Sequence, residues 1–179
     1  MKFFLFLICL TIPFTTFGIG LDDFRERPFG HILFIRHALA PGFGDPSHFQ
    51  LRRCDTQRNL DEQGRNQARN LGKLLKNSGI SFDQIYSSQW CRCLETAELL
   101  NLGPVIEEPG LNSFFQEIVN QEETLSRLRG KMKEIQTAGE RVIMVTHYVT
   151  ISAITGKAVS SGGGVVYDID SGKSVEVDF

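Results

Sequence analysis

Short apolar runs alternate with stretches of helical spacing along most of the chain. Positions 31–35 and 142–145 are nearly unbroken apolar runs, the pattern of strands buried on both faces of a parallel sheet. Positions 82–86 read as another strand and 105–106 as a short one. Within 61–77, Ala68, Leu71, Leu74 and Leu75 recur at helical spacing. Asp61 and Glu62 lie where the helix dipole favours acids, and Gly79 is the stop. A second helix is predicted over 90–100 with Ser88 as its N-cap, a third over 117–137, and a fourth over 149–155 ending at Gly156. Pro41, Gly42, Gly44 and Pro46 break 40–59 into an irregular loop. Asp170-Ser171-Gly172-Lys173, between apolar stretches 165–169 and 174–177, is a hairpin signal. The alternation predicts an α/β chain: a three-layer α/β/α sandwich on a mainly parallel, mixed sheet with a late hairpin.

Residues 1–20 follow a different rule. Lys2 is followed by an unbroken apolar run over 3–10, then by a softer stretch with Pro13, Gly18 and Gly20, and the first acid is Asp22. One cation, a short apolar block and then small residues form the layout of a secretory signal peptide, with cleavage near 18–20 and one domain over 21–179. The dense apolar part is well short of the roughly 20 residues that span a bilayer, so membrane contact is expected through this segment alone. The expected location is periplasmic or secreted.

Export changes how the cysteines read. Cys54, Cys91 and Cys93 follow the leader, and an oxidising compartment predicts one disulfide and one free thiol. Cys91 and Cys93 are too close to bridge comfortably, so Cys54 pairs with one of them, and the sequence leaves both pairings open. No Cys-x2-Cys or nearby histidine pattern supports a zinc site. Lys and Arg (19) nearly balance Asp and Glu (21), with no block of like charge, which gives no support to nucleic-acid binding.

In a parallel sheet the carboxyl ends of the strands share one edge, and ligands bind there. The first strand runs into Arg36-His37, the second through Ser87-Ser88 to Arg92, and the strand at 142–145 into Thr146-His147. No carboxylate is expected directly beside them. Two arginines suit a phosphate dianion, because each guanidinium offers paired donors to its oxygens. A neutral imidazole is a competent nucleophile near pH 7. A second histidine can donate to a phosphoryl oxygen as charge builds. The set implies phosphate-ester hydrolysis through a phosphohistidine, with no metal and no cofactor. The partner is a small phosphorylated substrate or inorganic phosphate.

These residues resemble a known family. Phe34-Ile35-Arg36-His37-Ala38 is similar to the Arg-His-Gly signature of the histidine phosphatase (phosphoglycerate mutase-like) superfamily. Leu60-Asp61-Glu62-Gln63-Gly64-Arg65-Asn66-Gln67-Ala68 resembles its next helix start, and Ser87 to Ala97 its Ser-x-x-x-Arg-x-x-Glu/Gln-Thr-Ala segment. Val142-Ile143-Met144-Val145-Thr146-His147 resembles its late strand. The motifs run in the family's order across about 32–156. The resemblance implies that His37 is the phosphorylated nucleophile and that Arg36, Arg92 and His147 surround the phosphate. The Arg-His-Ala variant, with Thr56-Gln57-Arg58-Asn59 and Trp90-Cys91-Arg92-Cys93, looks like a subgroup of small exported bacterial members.

One part of the pattern is missing. Where many members carry a Glu as general acid, the chain reads Leu111-Asn112-Ser113-Phe114-Phe115, with Ser113 near the acid's place. Glu117, Glu122, Glu123 and Asp45 are the carboxylates that a loop can bring in, and Glu117 is the candidate general acid. The other reading is a substrate whose leaving group needs no proton. Arg58 and Asn59 are candidate phosphate contacts. Arg52, Arg53 and Arg58 read equally as a solvated face or as a second anionic contact. Phe43, Phe49, Phe114 and Phe115 are more often core filler than the lining of a pocket mouth. The expected activity is an exported phosphatase of small phosphomonoesters, an envelope sugar phosphate among them. The alternatives are a phosphohistidine phosphatase and a weakly catalytic phosphate-binding module.

Overall fold

A computed structural model describes residues 24–25, 30–177 and 179; the expected leader at 1–20 lies outside them. The strands are β1 (His31–Arg36), β2 (Gln84–Ser87), β3 (Val105–Glu107), β4 (Val142–Thr146), β5 (Gly164–Asp168) and β6 (Ser174–Val177). They form one six-stranded sheet in the order β3-β2-β4-β1-β5-β6. β1, β2 and β3 run parallel to β4 through direct or successive pairing, whereas β5 lies antiparallel to β1 and to β6. The sheet is therefore mainly parallel with a closing hairpin, as the apolar pattern predicts.

Strand alternation sends one set of side chains to each face. Leu33, Ile35, Ile143 and Val145 pack with Leu71 and Leu75 of α1 (Glu62–Asn77) and with Ala97 and Leu100 of α2 (Cys91–Leu100). Ile32, Phe34, Val142 and Met144 pack with Leu128, Met132 and Ile135 of α3 (Gln121–Ala138) and with Ile151 of α4 (Tyr148–Thr155). Two helices on each face make the three layers. Glycines set how closely α1 approaches its neighbours. A Cβ at Gly72 would lie 2.1 Å from the Leu100 carbonyl oxygen of α2, and one at Gly64 would lie 2.0 Å from that of Leu39, in the segment leaving β1. Among the described residues, no helix is long and apolar enough to cross a membrane.

Two helix starts differ from the sequence reading. Asp61 does cap α1, accepting from the Gly64 N–H at 2.7 Å. At α2, however, Ser88 is not the cap: Trp90 occupies that position without a side-chain bond, while the Ser88 hydroxyl meets Asn112, His147 and the Trp90 N–H. The third helix starts at Gln121 rather than at 117. Asn120 caps it by accepting from the Glu123 N–H at 2.9 Å, and Gln116 and Glu117 before it hold left-handed φ of 62° and 57°.

Candidate active site

The carboxyl ends of β1 and β4 and the start of α2 open on a cavity of about 340 Å³ whose wall includes Arg36, His37, Arg92 and His147. The loop leaving β1 is tied down at once. The Ala38 N–H donates to Thr96 Oγ1 of α2 at 3.0 Å, and the Leu39 N–H donates to Gln67 Oε1 of α1 at 2.9 Å. Thr96 and Gln67, both in the motifs singled out above, thus act as struts beneath the site.

His37 is 2 % exposed. Its Nδ1 lies 2.8 Å from the Ala38 carbonyl oxygen, an acceptor only, so Nδ1 carries the proton and Nε2 keeps a free lone pair. Burial first, then the Arg92 charge, lowers its pKa to about 3 against the raising effect of the Ala38 bond. The imidazole is neutral at pH 7, the state a nucleophile needs.

Arg92 is buried beside it and is not alone. Its Nη1 and Nη2 donate to Asp45 Oδ1 and Oδ2 at 2.8 and 3.1 Å, and both side chains are 4 % exposed. Asp45 also accepts from the Trp90 indole N–H at 3.0 Å and from the Arg58 N–H at 3.1 Å. This corrects the expectation that no carboxylate sits next to the cluster. Burial alone would raise the Asp45 carboxyl, but the Arg92 hydrogen bonds and charge, with the Arg58 and Trp90 donors, outweigh it and hold Asp45 below the usual range. Asp45 is therefore ionised and acts as a clamp on Arg92 rather than as a proton donor. Loop 40–59 carries no local pattern that points to this contact, which spans 47 residues.

His147 ends a hydrogen-bond chain. The Gln89 N–H donates to Asn112 Oδ1 at 2.9 Å, which identifies that atom as the oxygen. The Ser88 hydroxyl gives its proton to the same oxygen at 3.1 Å, so Ser88 Oγ accepts from His147 Nε2 at 2.9 Å. His147 Nδ1 is left as an acceptor 3.4 Å from Arg92 Nη2. Burial, then the Arg92 charge, holds this imidazole far below its ordinary pKa. The Trp90 ring stands edge-on to it, with ring centres 5.4 Å apart, and the His37 and His147 rings are 5.5 Å apart.

The remaining candidates separate. Arg36 donates to the Val159 carbonyl oxygen at 2.9 Å and lies over the Tyr148 ring at 5.7 Å. Arg36 Nε and Arg92 Nε are buried without a hydrogen-bond partner in the protein, on guanidinium groups that line the cavity. Arg58 also lines it, anchored through Nε to the Gly44 carbonyl oxygen at 2.8 Å and through Nη1 to that of Ala40. Arg53 turns outward to an exposed pair with Asp55. Asn59 is not on the cavity wall: its Nδ2 donates to the carbonyls of Cys54 and Gln57, where it shapes the loop. Glu117 is exposed, outside the wall, and turned by its left-handed backbone, so the structure gives it no place as the general acid. Ser113 does line the cavity, and no carboxylate does among the described residues.

The disulfide pairing left open above is Cys54–Cys91. It ties the loop carrying Arg58 to the first residue of α2, next to Arg92, and the Cys91 N–H adds a bond to Gln57 Oε1 at 3.0 Å. Cys93 is the free, buried thiol, pushed up to about 12 by burial and therefore not a thiolate.

Comparison with known proteins gives a consistent picture. Residues 32–118 match the family model described as histidine phosphatase superfamily (branch 1). The mitochondrial serine/threonine-protein phosphatase Pgam5 of Drosophila ananassae is 30% identical over 86 residues, 47% of this chain and 26% of that protein. The chain thus spans about a quarter of the length of that curated relative. Among solved structures, the protein histidine phosphatase SixA complexed with tungstate is 15% identical with a TM-score of 0.55, over 82% of this chain and 93% of that one. The α-ribazole phosphatase from Shigella flexneri is 17% identical with a TM-score of 0.57, over 82% and 94%. At these identities the structural likeness shows the fold.

Proposed function

We propose that the chain is a member of the histidine phosphatase superfamily, whose family model matches residues 32–118, and that it is a phosphatase acting on small phosphomonoesters through a phosphohistidine on His37. One observation carries the reading: a neutral, buried His37, with Nε2 free, shares a cavity with the guanidinium groups of Arg36, Arg58 and Arg92. The cations attract and orient the phosphate dianion. His37 Nε2 forms a bond to phosphorus while the bond to the leaving oxygen breaks. Water then attacks phosphorus, the P–N bond breaks, and its electron pair returns to Nε2. His147, whose Nε2 already donates to Ser88, can donate to the phosphate only when it takes a proton on Nδ1, which a dianion beside it favours and Arg92 opposes.

Arg36, His37, Arg92 and His147 form the reacting wall in this reading, with Arg58 as a further anion contact and Asp45 as the residue that fixes Arg92. The Cys54–Cys91 disulfide supports the expectation of an exported protein. The test is phosphate release from p-nitrophenyl phosphate by purified protein and by His37→Ala. Turnover by the parent and not by the variant supports the reading; equal rates remove His37 from the mechanism.

A further inference from the structure

The wall facing away from the phosphate end bears on the substrate class, an inference that rests on the phosphatase reading above. The exposed large apolar side chains among the described residues are Phe43, Leu74, Ile106, Phe115, Tyr148 and Phe179, and of these Phe43, Phe115 and Tyr148 all border the one cavity that holds His37. Scattered exposed apolar residues need no explanation, but a cluster around a concave site does. Phe43 is 88 % exposed at the tip of a turn between Gly42 and Gly44, whose φ values of 96° and 66° suit glycine. The turn is braced from behind, because the Asp45 N–H donates to Gln116 Oε1 at 2.7 Å. The Phe43 and Phe115 rings meet edge to face at 5.2 Å, a preferred aromatic geometry that leaves ring surface for a third partner. Leu39, Pro41 and Val149 continue the apolar lining inward to the cationic end.

A second, independent observation concerns the proton. An alkoxide leaves readily only if an acid protonates it, whereas an aryl oxygen leaves as an aryloxide whose charge spreads into the ring. The nearest carboxylate, Asp45, is committed to Arg92, and Glu117 is off the wall. The hydroxyls that remain, on Ser113, Ser161 and Tyr148, yield a proton far less readily than a carboxyl. The apolar rim and the lack of an acid lead to the same class of leaving group.

We propose that Phe43, Phe115 and Tyr148 form a leaving-group subsite for a planar aromatic ring, and that this chain selects aryl phosphates. The bond between phosphorus and the aryl oxygen breaks with both electrons going to that oxygen, as the P–N bond to His37 forms. Water supplies the new oxygen on phosphorus in the second step, and its proton passes to solvent.

Calorimetric titration of the protein with inorganic phosphate, benzylphosphonate and n-propylphosphonate separates the two readings, because none of these ligands can turn over. Phosphate binding alone reports the cationic wall. Benzylphosphonate is expected to bind about tenfold more tightly than n-propylphosphonate, from ring stacking. Phe43→Ala and Phe115→Ala, each removing a partly or fully exposed ring, should bring that ratio close to unity. In turnover, kcat/KM should rise steeply with leaving-group acidity across substituted phenyl phosphates and stay far lower for glycerol and hexose phosphates. Phosphate binding with equal affinity for the two phosphonates, or with a ratio unmoved in both variants, overturns the aromatic subsite and leaves the phosphatase reading intact. Hexose phosphates turned over as fast as phenyl phosphates would overturn it too. No binding of phosphate or of either phosphonate overturns both readings.

Discussion

The inner and outer walls of the same cavity are built in opposite ways. The inner wall takes its groups from strand ends and a helix start, and three of the four are nearly sealed: His37 is 2 % exposed and Arg92 and His147 are 3 %, while Arg36 is half-buried. Each inner group has its orientation fixed by a partner, Ala38 for His37, Asp45 for Arg92 and Ser88 for His147. The outer wall takes Phe43 and Phe115 from turns, exposed and held mainly by each other and by a braced backbone. Rigid, desolvated groups can set protonation states and aim lone pairs. Exposed rings on loops can only add or withhold surface. On this account reactivity is written into the strand ends and selectivity into the loops, and changes to one wall should leave the signature of the other.

The largest effect should come from the nucleophile. His37→Ala is expected to lower kcat/KM by about 10⁴-fold or more on every substrate, aryl or alkyl, while benzylphosphonate still binds better than n-propylphosphonate. Loss of the ring preference in that variant would mean that the walls are not independent.

Asp45 tests the inner wall's rigidity. Asp45→Ala leaves Arg92 buried and uncompensated, which costs about 3 to 5 kcal/mol of stability in the free protein. Thermal unfolding with and without saturating phosphate should show the loss shrinking when the anion is bound. The rate loss should be the same factor for aryl and alkyl substrates, because a clamp on Arg92 is indifferent to the leaving group. A loss confined to alkyl esters would make Asp45 a proton donor instead. Cys54→Ser with Cys91→Ser removes a crosslink between residues 37 apart, expected to cost about 2 to 4 kcal/mol. A chemical denaturation curve with and without reductant reads that difference.

A smaller, graded effect comes from pH. His37 and His147 are neutral when folded and titrate near 6.5 when unfolded, so the unfolded chain binds more protons as pH falls below that value. Their contribution to stability is present above pH 6.5 and falls by about 1.4 kcal/mol per pH unit for each histidine, down to about 3 for His37. Asp45, lowered from 3.8, adds a further loss at more acid pH. Activity should behave differently. With His37 already neutral, the acid limb of kcat/KM should follow the second ionisation of the substrate phosphate, at about 6, and move when that ionisation is moved. A limb fixed near 6.5 across substrates would indicate a nucleophile far less buried than this one.

Much of the inner wall was legible because strand periodicity and motif order fix where Arg36, His37, Arg92 and His147 emerge. Local signals hold for such residues: each sits within a few positions of a strand or helix end. Asp45 is among the carboxylates that the sequence offers to the site, but its role as the partner of Arg92 is not legible. Its pairing depends on how a loop rich in glycine and proline folds back over α2, and no short-range spacing encodes that. α3 starts at Gln121 and not at 117, and the sequence carries the signal for it: Asn120 followed by Glu123 is a capping pattern, which outweighs the helical spacing upstream. Phe43 and Phe115 are exposed rather than core filler, a difference that composition does not encode because it cannot distinguish a ring on a turn tip from one in a core.

The central claim is that His37 Nε2 bonds to phosphorus, and trapping that bond tests it most directly. Rapid quenching of turnover on an aryl phosphate, followed by peptide mass spectrometry in alkali, should find phosphoryl on His37, lost on mild acid treatment and absent from His37→Ala. Phosphoryl on another residue, or continued turnover by His37→Ala, would contradict the account.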